Sequence, residues 1–206
     1  MYHLNAVDEV TQWQVVGAVE RISEAWLLPV LAVMLAQFPF VIRGFHSDNG
    51  SEFINHPMAN MLRDLLVEQT KSRPRHSNDN GLVESKNGAV IRKHMGHLHI
   101  QAPQAAAIHC FYQQYLNPYL NFHRSCGQAE VITDKKGKQK RIYRQYVTPW
   151  EVLRQLPDAA QYLRLDQTLA ALAATSLQCS DTESAGRMQQ AKHKLFRTFY
   201  PEAQPA

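Results

Sequence analysis

The chain has 206 residues, of which 45% are hydrophobic and 19% are charged, so it can bury one sizeable core and carry an appendage. A net charge of +4 with a pI of about 9.0 excludes a histone-like protein. Three cysteines without metal-finger spacing argue against a disulfide framework and favour a reducing cytoplasm. No apolar run reaches about eighteen residues and no signal peptide is recognisable, so we expect no membrane association.

The first hundred residues have an α/β order of predicted elements. Two short β-branched runs, Tyr2–Val7 and Trp13–Val19, flank a turn and predict a hairpin. Apolar residues at helical spacing predict a helix over 22–37, and 40–45 is a short apolar strand. The further elements predicted in this part are a helix over 56–66, a strand over 67–70 and helices over 81–98 and 102–122.

The pattern changes after residue 125. Two β-branched runs flank a glycine-containing basic loop, which predicts a second hairpin. Thr148, Pro149 and Glu151 have the order of an N-cap, a first-turn proline and a capping glutamate, so a helix starts there. Further helices are predicted over 163–177 and 185–199. We therefore predict a core over 1–125, a basic hairpin region over 126–147 and a C-terminal helical region over 148–206.

Two acidic residues, Asp48 and Glu84, are separated by 35 residues in the core region. Asp48 follows a predicted strand, and the Asn49-Gly50 turn would present its carboxylate at the end of that strand, where open α/β sheets bind ligands. Glu84 lies in the first turn of the next predicted helix. Two carboxylates on neighbouring elements can hold a hard divalent cation.

Each carboxylate also has an ordinary structural explanation. Asp48-Asn49-Gly50 is common turn chemistry. Glu84 could simply stabilise its own helix, because a negative charge in the first turn is favoured by the helix dipole. It is the two residues together, at this spacing, that favour a metal site.

With this spacing, the segments around Asp48 and Glu84 resemble the catalytic core of DDE integrases and transposases. The resemblance covers residues 2–100 by motif and continues more loosely to about residue 153. It implies a ribonuclease-H-like α/β core that joins and cuts DNA phosphodiesters with Mg²⁺ or Mn²⁺, in a mobile element. It also implies DNA as partner.

The family uses a third carboxylate on its first strand, and this has no counterpart here. We expect the chain to begin after that first strand. The core would then lack the strand, and the strands beside its place would have an unpaired edge. Asp8 is no substitute, because it lies in a turn where the family has a structural Asp. We therefore expect impaired catalysis. A different hypothesis is that the chain is a non-catalytic fragment, which binds DNA or oligomerises and thereby modulates a full-length transposase. Its protein partner would be a full-length transposase or a second copy of the chain.

Basic residues supply the candidate DNA contacts. The resemblance implies phosphate contacts for Lys86 and Arg92, although both could be ordinary solvated charges. Arg73 and Arg75 lie in the loop that resembles the mobile active-site loop of integrases, where positive charge suits a phosphodiester. The second hairpin contributes five further candidates, Lys135, Lys136, Lys138, Lys140 and Arg141.

Three histidines, His94, His97 and His99, follow one another closely near the end of the predicted helix over 81–98. Zinc would need further ligands at suitable spacing, and the neighbouring sequence offers none. We therefore expect these histidines to interact with the C-terminal dipole of the helix.

Overall fold

The computed structural model describes residues 1–47, 68–71, 81–96, 99–133 and 137–200, which form a mixed α/β protein with small sheets and several helices. The strands are β1 (Tyr2–Val7), β2 (Gln14–Val19), β3 (Gly44–Ser47), β4 (Glu68–Lys71), β5 (Cys126–Thr133) and β6 (Gln139–Val147). Within the described residues they form two-stranded sheets: β1 with β2 and β5 with β6 are antiparallel, and β3 with β4 is parallel.

The helices include several π-helical turns. The α-helical segments are α1 (Glu24–Leu35), α2 (Gly81–Lys86), α3 (Lys93–Met95), α4 (Ala105–Phe111), α5 (Pro149–Gln155), α6 (Leu169–Ser176) and α7 (Asp181–Phe199). A π-helical segment, Asn87–Arg92, joins α2 to α3, and two more, Tyr112–Leu116 and Tyr119–His123, prolong α4. Short 3₁₀ turns lie at Ala102–Gln104 and Ala159–Tyr162.

Several predicted elements have the expected position. β1 has its predicted bounds, and the strands of the second hairpin extend beyond the β-branched runs, 131–133 and 141–143, that predicted it. The predicted capping of α5 is confirmed: the Glu151 amide donates to Thr148 Oγ1 at 3.1 Å, and the Thr148 amide donates to Glu151 Oε2 at 2.7 Å. The helix predicted over 56–66 lies outside the described residues.

The strand predicted over 40–45 was wrong in extent. β3 starts only at Gly44, because the preceding residues pair with a distant segment instead. Phe40 forms an antiparallel bridge with Leu163, and the Val41 amide donates to the Tyr162 carbonyl at 2.8 Å. These contacts tie the chain before β3 to the C-terminal region.

The helix predicted over 163–177 was wrong at its start, for the same reason. Leu163 is extended where it forms the bridge with Phe40, so it cannot begin a helix. α6 starts after Thr168, whose Oγ1 accepts a hydrogen bond from the Ala171 amide at 3.1 Å. A threonine N-cap thus sets the observed boundary.

β2 is the buried centre of the described fold, since all six of its residues are buried. Side chains alternate along a strand, so its two faces enter different apolar clusters. Val15 and Val19 pack in the cluster that contains α1, and Val16 packs in the cluster that contains α4. Gly17 leaves room for Met34 on the α1 face, because an added Cβ would force Met34 Sδ to shift.

The outer edge of β2 is closed by side chains. Asn121 accepts from the Gln14 amide and donates to the Gln14 carbonyl, both at 2.8 Å. Asn117 likewise accepts from the Val16 amide at 2.9 Å and donates to the Val16 carbonyl at 3.1 Å. Two buried asparagines therefore replace the neighbouring strand that a buried sheet edge needs.

A tight turn joins β1 to β2, and Asp8 stabilises it. Asp8 Oδ2 accepts from the Thr11 amide at 2.7 Å and from the Thr11 hydroxyl at 2.6 Å. Gln12 follows in a left-handed conformation with φ of 60°. These contacts give Asp8 the structural role that its position in the sequence suggested.

We expect Asn117→Ala to open the edge of β2. The substitution leaves the Val16 amide and carbonyl buried without a partner, and each such group costs about 1–3 kcal/mol. Hydrogen–deuterium exchange measured by mass spectrometry should show faster exchange of the β2 amides. Gln114→Ala, an exposed position on the same helix, is the control, and equal exchange in both variants would contradict the role of Asn117.

Candidate functional site

A groove of about 1150 Å³ runs beside β1. Its walls come from α1, β1, the segment 40–46 that enters β3, and the start of the helix that carries Glu84. Apolar side chains of α1, Leu27, Leu31 and Met34, contribute to its lining. The groove therefore lies between two sheets that are not joined by hydrogen bonds in the described residues.

The edge of β1 that faces away from β2 lines this groove. The backbone groups of Gln14 and Val16 point away from β1, toward the two asparagines. In an antiparallel pair the direction alternates, so the residues between them are the ones whose backbone groups hydrogen-bond to β1. The register then points the backbone groups of His3, Asn5 and Val7 away from β2. Within the described ranges no hydrogen-bond partner is found for these backbone groups. In the part of the chain that the structure describes, the outer edge of β1 is therefore open, whereas the outer edge of β2 is closed by the two asparagines.

Glu84 is exposed in α2 and lines the groove. One turn later, Asn87 fixes this helix to β1: Asn5 Nδ2 donates to Asn87 Oδ1 at 2.8 Å. Gln14 Nε2 donates in turn to Asn5 Oδ1 at 2.9 Å. A chain of three side-chain amides thus connects the Glu84 helix to the buried strand β2.

Asp48 lies outside the described residues, so its geometry relative to Glu84 stays a prediction. β3 ends at Ser47, directly before Asp48 in the sequence, and His46 of the same strand lines the groove together with Glu84. In the described part of the chain no cluster of three or more His, Cys, Asp or Glu side chains is suited to a metal ion. A carboxylate oxygen set from Asp48 and Glu84 would suit Mg²⁺ or Mn²⁺ by its chemistry.

Lys86 is buried, so it is not an ordinary solvated charge on an exposed helix face. Its residue is only 8% exposed, and burial lowers the pKa of its ammonium group, with Cys126 opposing and Arg124 adding to the shift. This burial argues against a phosphate contact by Lys86. Arg92 is exposed and stays a candidate, whereas Arg73 and Arg75 lie outside the described residues.

The basic hairpin projects from the core. Lys138, Lys140 and Arg141 are exposed, while Lys135 and Lys136 lie outside the described residues. Gln12 holds the base of the hairpin, because its Nε2 donates to the Gly127 carbonyl at 2.9 Å and to Gln128 Oε1 at 3.1 Å. The positive charges are therefore presented on a ribbon that is tied to the β1–β2 turn.

His94 lies in the last turn of its helix, as predicted, but it is buried. It is 8% exposed, and burial together with Arg124, Lys192 and Lys93 lowers its pKa to about 4. It is therefore neutral at pH 7, and its ring packs edge-on against Tyr119. His97 lies outside the described residues.

Sequence reasoning missed one cluster of reactive side chains. His123 Nε2 lies 3.7 Å from Cys179 Sγ, and His123 Nδ1 lies 3.0 Å from Asp181 Oδ1. His123 and Cys179 are 56 positions apart, and no local motif links them. Only tertiary packing reveals this arrangement.

No protein-family model matches the chain. It is 31% identical over 100 residues to an uncharacterized protein, y4rM, of Sinorhizobium fredii (strain NBRC 101917 / NGR234), a match that covers 48% of this chain and 29% of that protein. It is 27% identical over 130 residues to the Pol polyprotein of equine infectious anemia virus, strain Wyoming, covering 63% of this chain and 9% of the polyprotein. Isolate 1369 gives the same values. The chain thus spans less than a third of these relatives and is distantly similar to a retroviral Pol polyprotein.

No helix in the described ranges is long and apolar enough to cross a membrane. The longest of them, α7, is amphipathic, and charged side chains recur along its exposed face.

We expect the stability of the fold to fall as the pH decreases from about 6.5 to about 4. In this range the unfolded chain binds a proton at His94 that the folded chain does not, because the folded pKa lies below the ordinary value of 6.5. His94→Phe should reduce the loss, measured as the shift of the urea midpoint between pH 7 and pH 5. His3 and His109, whose pKa values burial also lowers, should retain part of it.

His99→Gln serves as the matched control for His94→Phe, because His99 is exposed. The control should keep the pH dependence of the unaltered chain. If His94→Phe also kept it in full, a neutral buried His94 would be the wrong explanation.

Proposed function

We propose that this chain derives from a DDE integrase or transposase of a mobile element, and that Asp48 and Glu84 are its metal ligands. The observation that carries the proposal is the shared groove: Glu84 lines it together with His46 of β3, which lies two positions before Asp48 in the sequence. The distant similarity to a retroviral Pol polyprotein points in the same direction. DNA integration or transposition is the function by descent.

A ribonuclease-H-like core is the fold that we propose. It is supported by the order of the described elements, an antiparallel hairpin followed by a helix and then by two parallel strands. It also agrees with the open edge of β1, next to which a further strand would fit. The hairpin β5–β6 and the C-terminal helices are then additions to this core.

Asp48 and Glu84 would hold Mg²⁺ or Mn²⁺ through carboxylate oxygens. A bound cation of this kind would stabilise negative charge on a phosphodiester and position the attacking hydroxyl. The resemblance implies three carboxylates, and this sequence offers two at the expected spacing. Two ligands bind one ion weakly, so we propose that phosphodiester cleavage and strand transfer are impaired in the 206-residue chain.

Manganese binding tests the two ligands directly. Titration of the chain with Mn²⁺, followed by electron paramagnetic resonance of the free ion, should reveal a weak site. Asp48→Asn and Glu84→Gln should each remove it, because either substitution takes away one of two anionic ligands. Glu183→Gln is the matched control, since Glu183 is exposed and its carboxylate accepts hydrogen bonds from Ser180, the N-cap of α7.

Nicking of a labelled DNA end tests the proposal that phosphodiester cleavage is impaired. We expect no cleavage above background with Mg²⁺ or Mn²⁺. Robust nicking that Asp48→Asn abolishes would show that the site is active, and Mn²⁺ binding unaffected by both substitutions would show that these residues are not ligands.

The alternative function is DNA binding or oligomerisation without catalysis, as a partner of a full-length transposase. The exposed basic residues of the hairpin favour it, because clustered positive charges on a projecting ribbon suit a polyanion. The ion pair between Arg144 and Glu130 on this hairpin, at 3.8 Å, is exposed and therefore contributes little to stability. Cytoplasmic location belongs to both functions as a proposal.

Binding of the chain to duplex DNA of mixed sequence should weaken as salt increases, by release of counterions. Replacing Lys135, Lys136, Lys138 and Lys140 by Ala should weaken binding at low salt and flatten the dependence on salt. The control removes four exposed charges elsewhere, Arg154, Arg187, Lys194 and Arg197. Equal weakening by both sets would indicate a general charge effect and would remove the hairpin from the proposal.

A further inference from the structure

Cys179, His123 and Asp181 form a thiol–imidazole–carboxylate cluster, separate from the groove. His123 is the last residue of a π-helical turn, whereas Cys179 and Asp181 flank Ser180, the N-cap of α7. The imidazole contacts the thiol through Nε2 at 3.7 Å and the carboxylate through Nδ1 at 3.0 Å. Each ring nitrogen of His123 therefore has a different partner.

This geometry matches the requirements of an activated nucleophile. A nucleophile must lie within hydrogen-bond reach of a base, and a third group must orient that base. Asp181 accepts the hydrogen bond from Nδ1–H, which leaves the lone pair of Nε2 directed at the thiol. The His123 side chain is 6% exposed and is thus held in place, while the Asp181 side chain is 75% exposed.

We propose that Cys179 is a nucleophilic thiol that reacts with small electrophiles, with His123 as its general base and Asp181 as the positioning residue. In the reaction with iodoacetamide, the sulfur forms a bond to the methylene carbon and the carbon–iodine bond breaks. Iodide leaves with the electron pair, and the proton of the thiol moves to Nε2 of His123. The cluster is thereby a site of covalent thiol modification.

The reactivity of Cys179 can be compared with that of two other cysteines in the same chain, Cys110 and Cys126. Cys110 is exposed, whereas Cys126 and Cys179 are partly buried. If exposure alone controlled reactivity, Cys110 would react fastest. Cys126 accepts a weak hydrogen bond from Gln128 Nε2 at 3.6 Å and lies near Lys86, so it reports on a thiol without an imidazole base.

The experiment is competitive labelling of the full chain with limiting iodoacetamide at pH 7, with mass spectrometry of the three cysteine peptides. We expect Cys179 to be labelled at least about tenfold faster than Cys110. This factor is smaller than the rate enhancement that a positioned general base usually contributes. Equal or slower labelling of Cys179 would overturn the proposal.

Two substitutions separate base catalysis from a structural role. His123→Asn removes the base, and Asp181→Asn removes the orienting charge at an exposed position; both should slow labelling of Cys179 relative to Cys110. Local unfolding would instead speed up labelling of Cys179 and Cys126. Glu183→Gln, which removes a neighbouring charge of the same helix turn without a described contact to His123, should leave the ratio unchanged. An unaltered ratio in His123→Asn would contradict the assignment.

Discussion

The described fold depends on the complete hydrogen bonding of β2, a strand that is buried on both faces. One edge pairs with β1, and the other is closed by Asn117 and Asn121. The spacing suits this purpose: two residues along a strand rise about 6.6 Å, and four residues along a helix rise about 6 Å. Side-chain amides four positions apart on a helix can therefore serve alternate residues of a strand.

Because side chains close the outer edge of β2, the two edges of the β1–β2 hairpin differ. A strand edge next to a helix needs polar side chains at the interface, and Asn117 and Asn121 are buried for that reason. His109 continues the series, since its Nδ1 accepts from the Ala18 amide at 3.4 Å and burial lowers its pKa, which keeps the ring neutral. The outward groups of β1 have no such side chains beside them in the described residues. The ribbon therefore offers only its β1 edge to a further strand.

Local sequence predicted the parts of the fold that local chemistry determines. The bounds of β1 and the Thr148 cap were correct, because a β-branched run and a capping box act within a few residues. The strand over 40–45 and the helix over 163–177 failed together, since the bridge between Phe40 and Leu163 joins segments that no local pattern connects. Of the candidate site, Asp48 and Glu84 rest on motif and spacing, and the burial of Lys86 needed tertiary structure to be seen.

The open edge of β1 and the proposed metal ligand Glu84 belong to one environment. Asn5 contributes its backbone to the open edge and its side chain to Asn87, one turn from Glu84. The hydrogen bond from Asn5 Nδ2 to Asn87 Oδ1 therefore links β1 directly to the helix that carries Glu84. Glu84 and the outward edge of β1 line the same groove, so a strand placed along β1 would lie beside the carboxylate that we propose as a metal ligand.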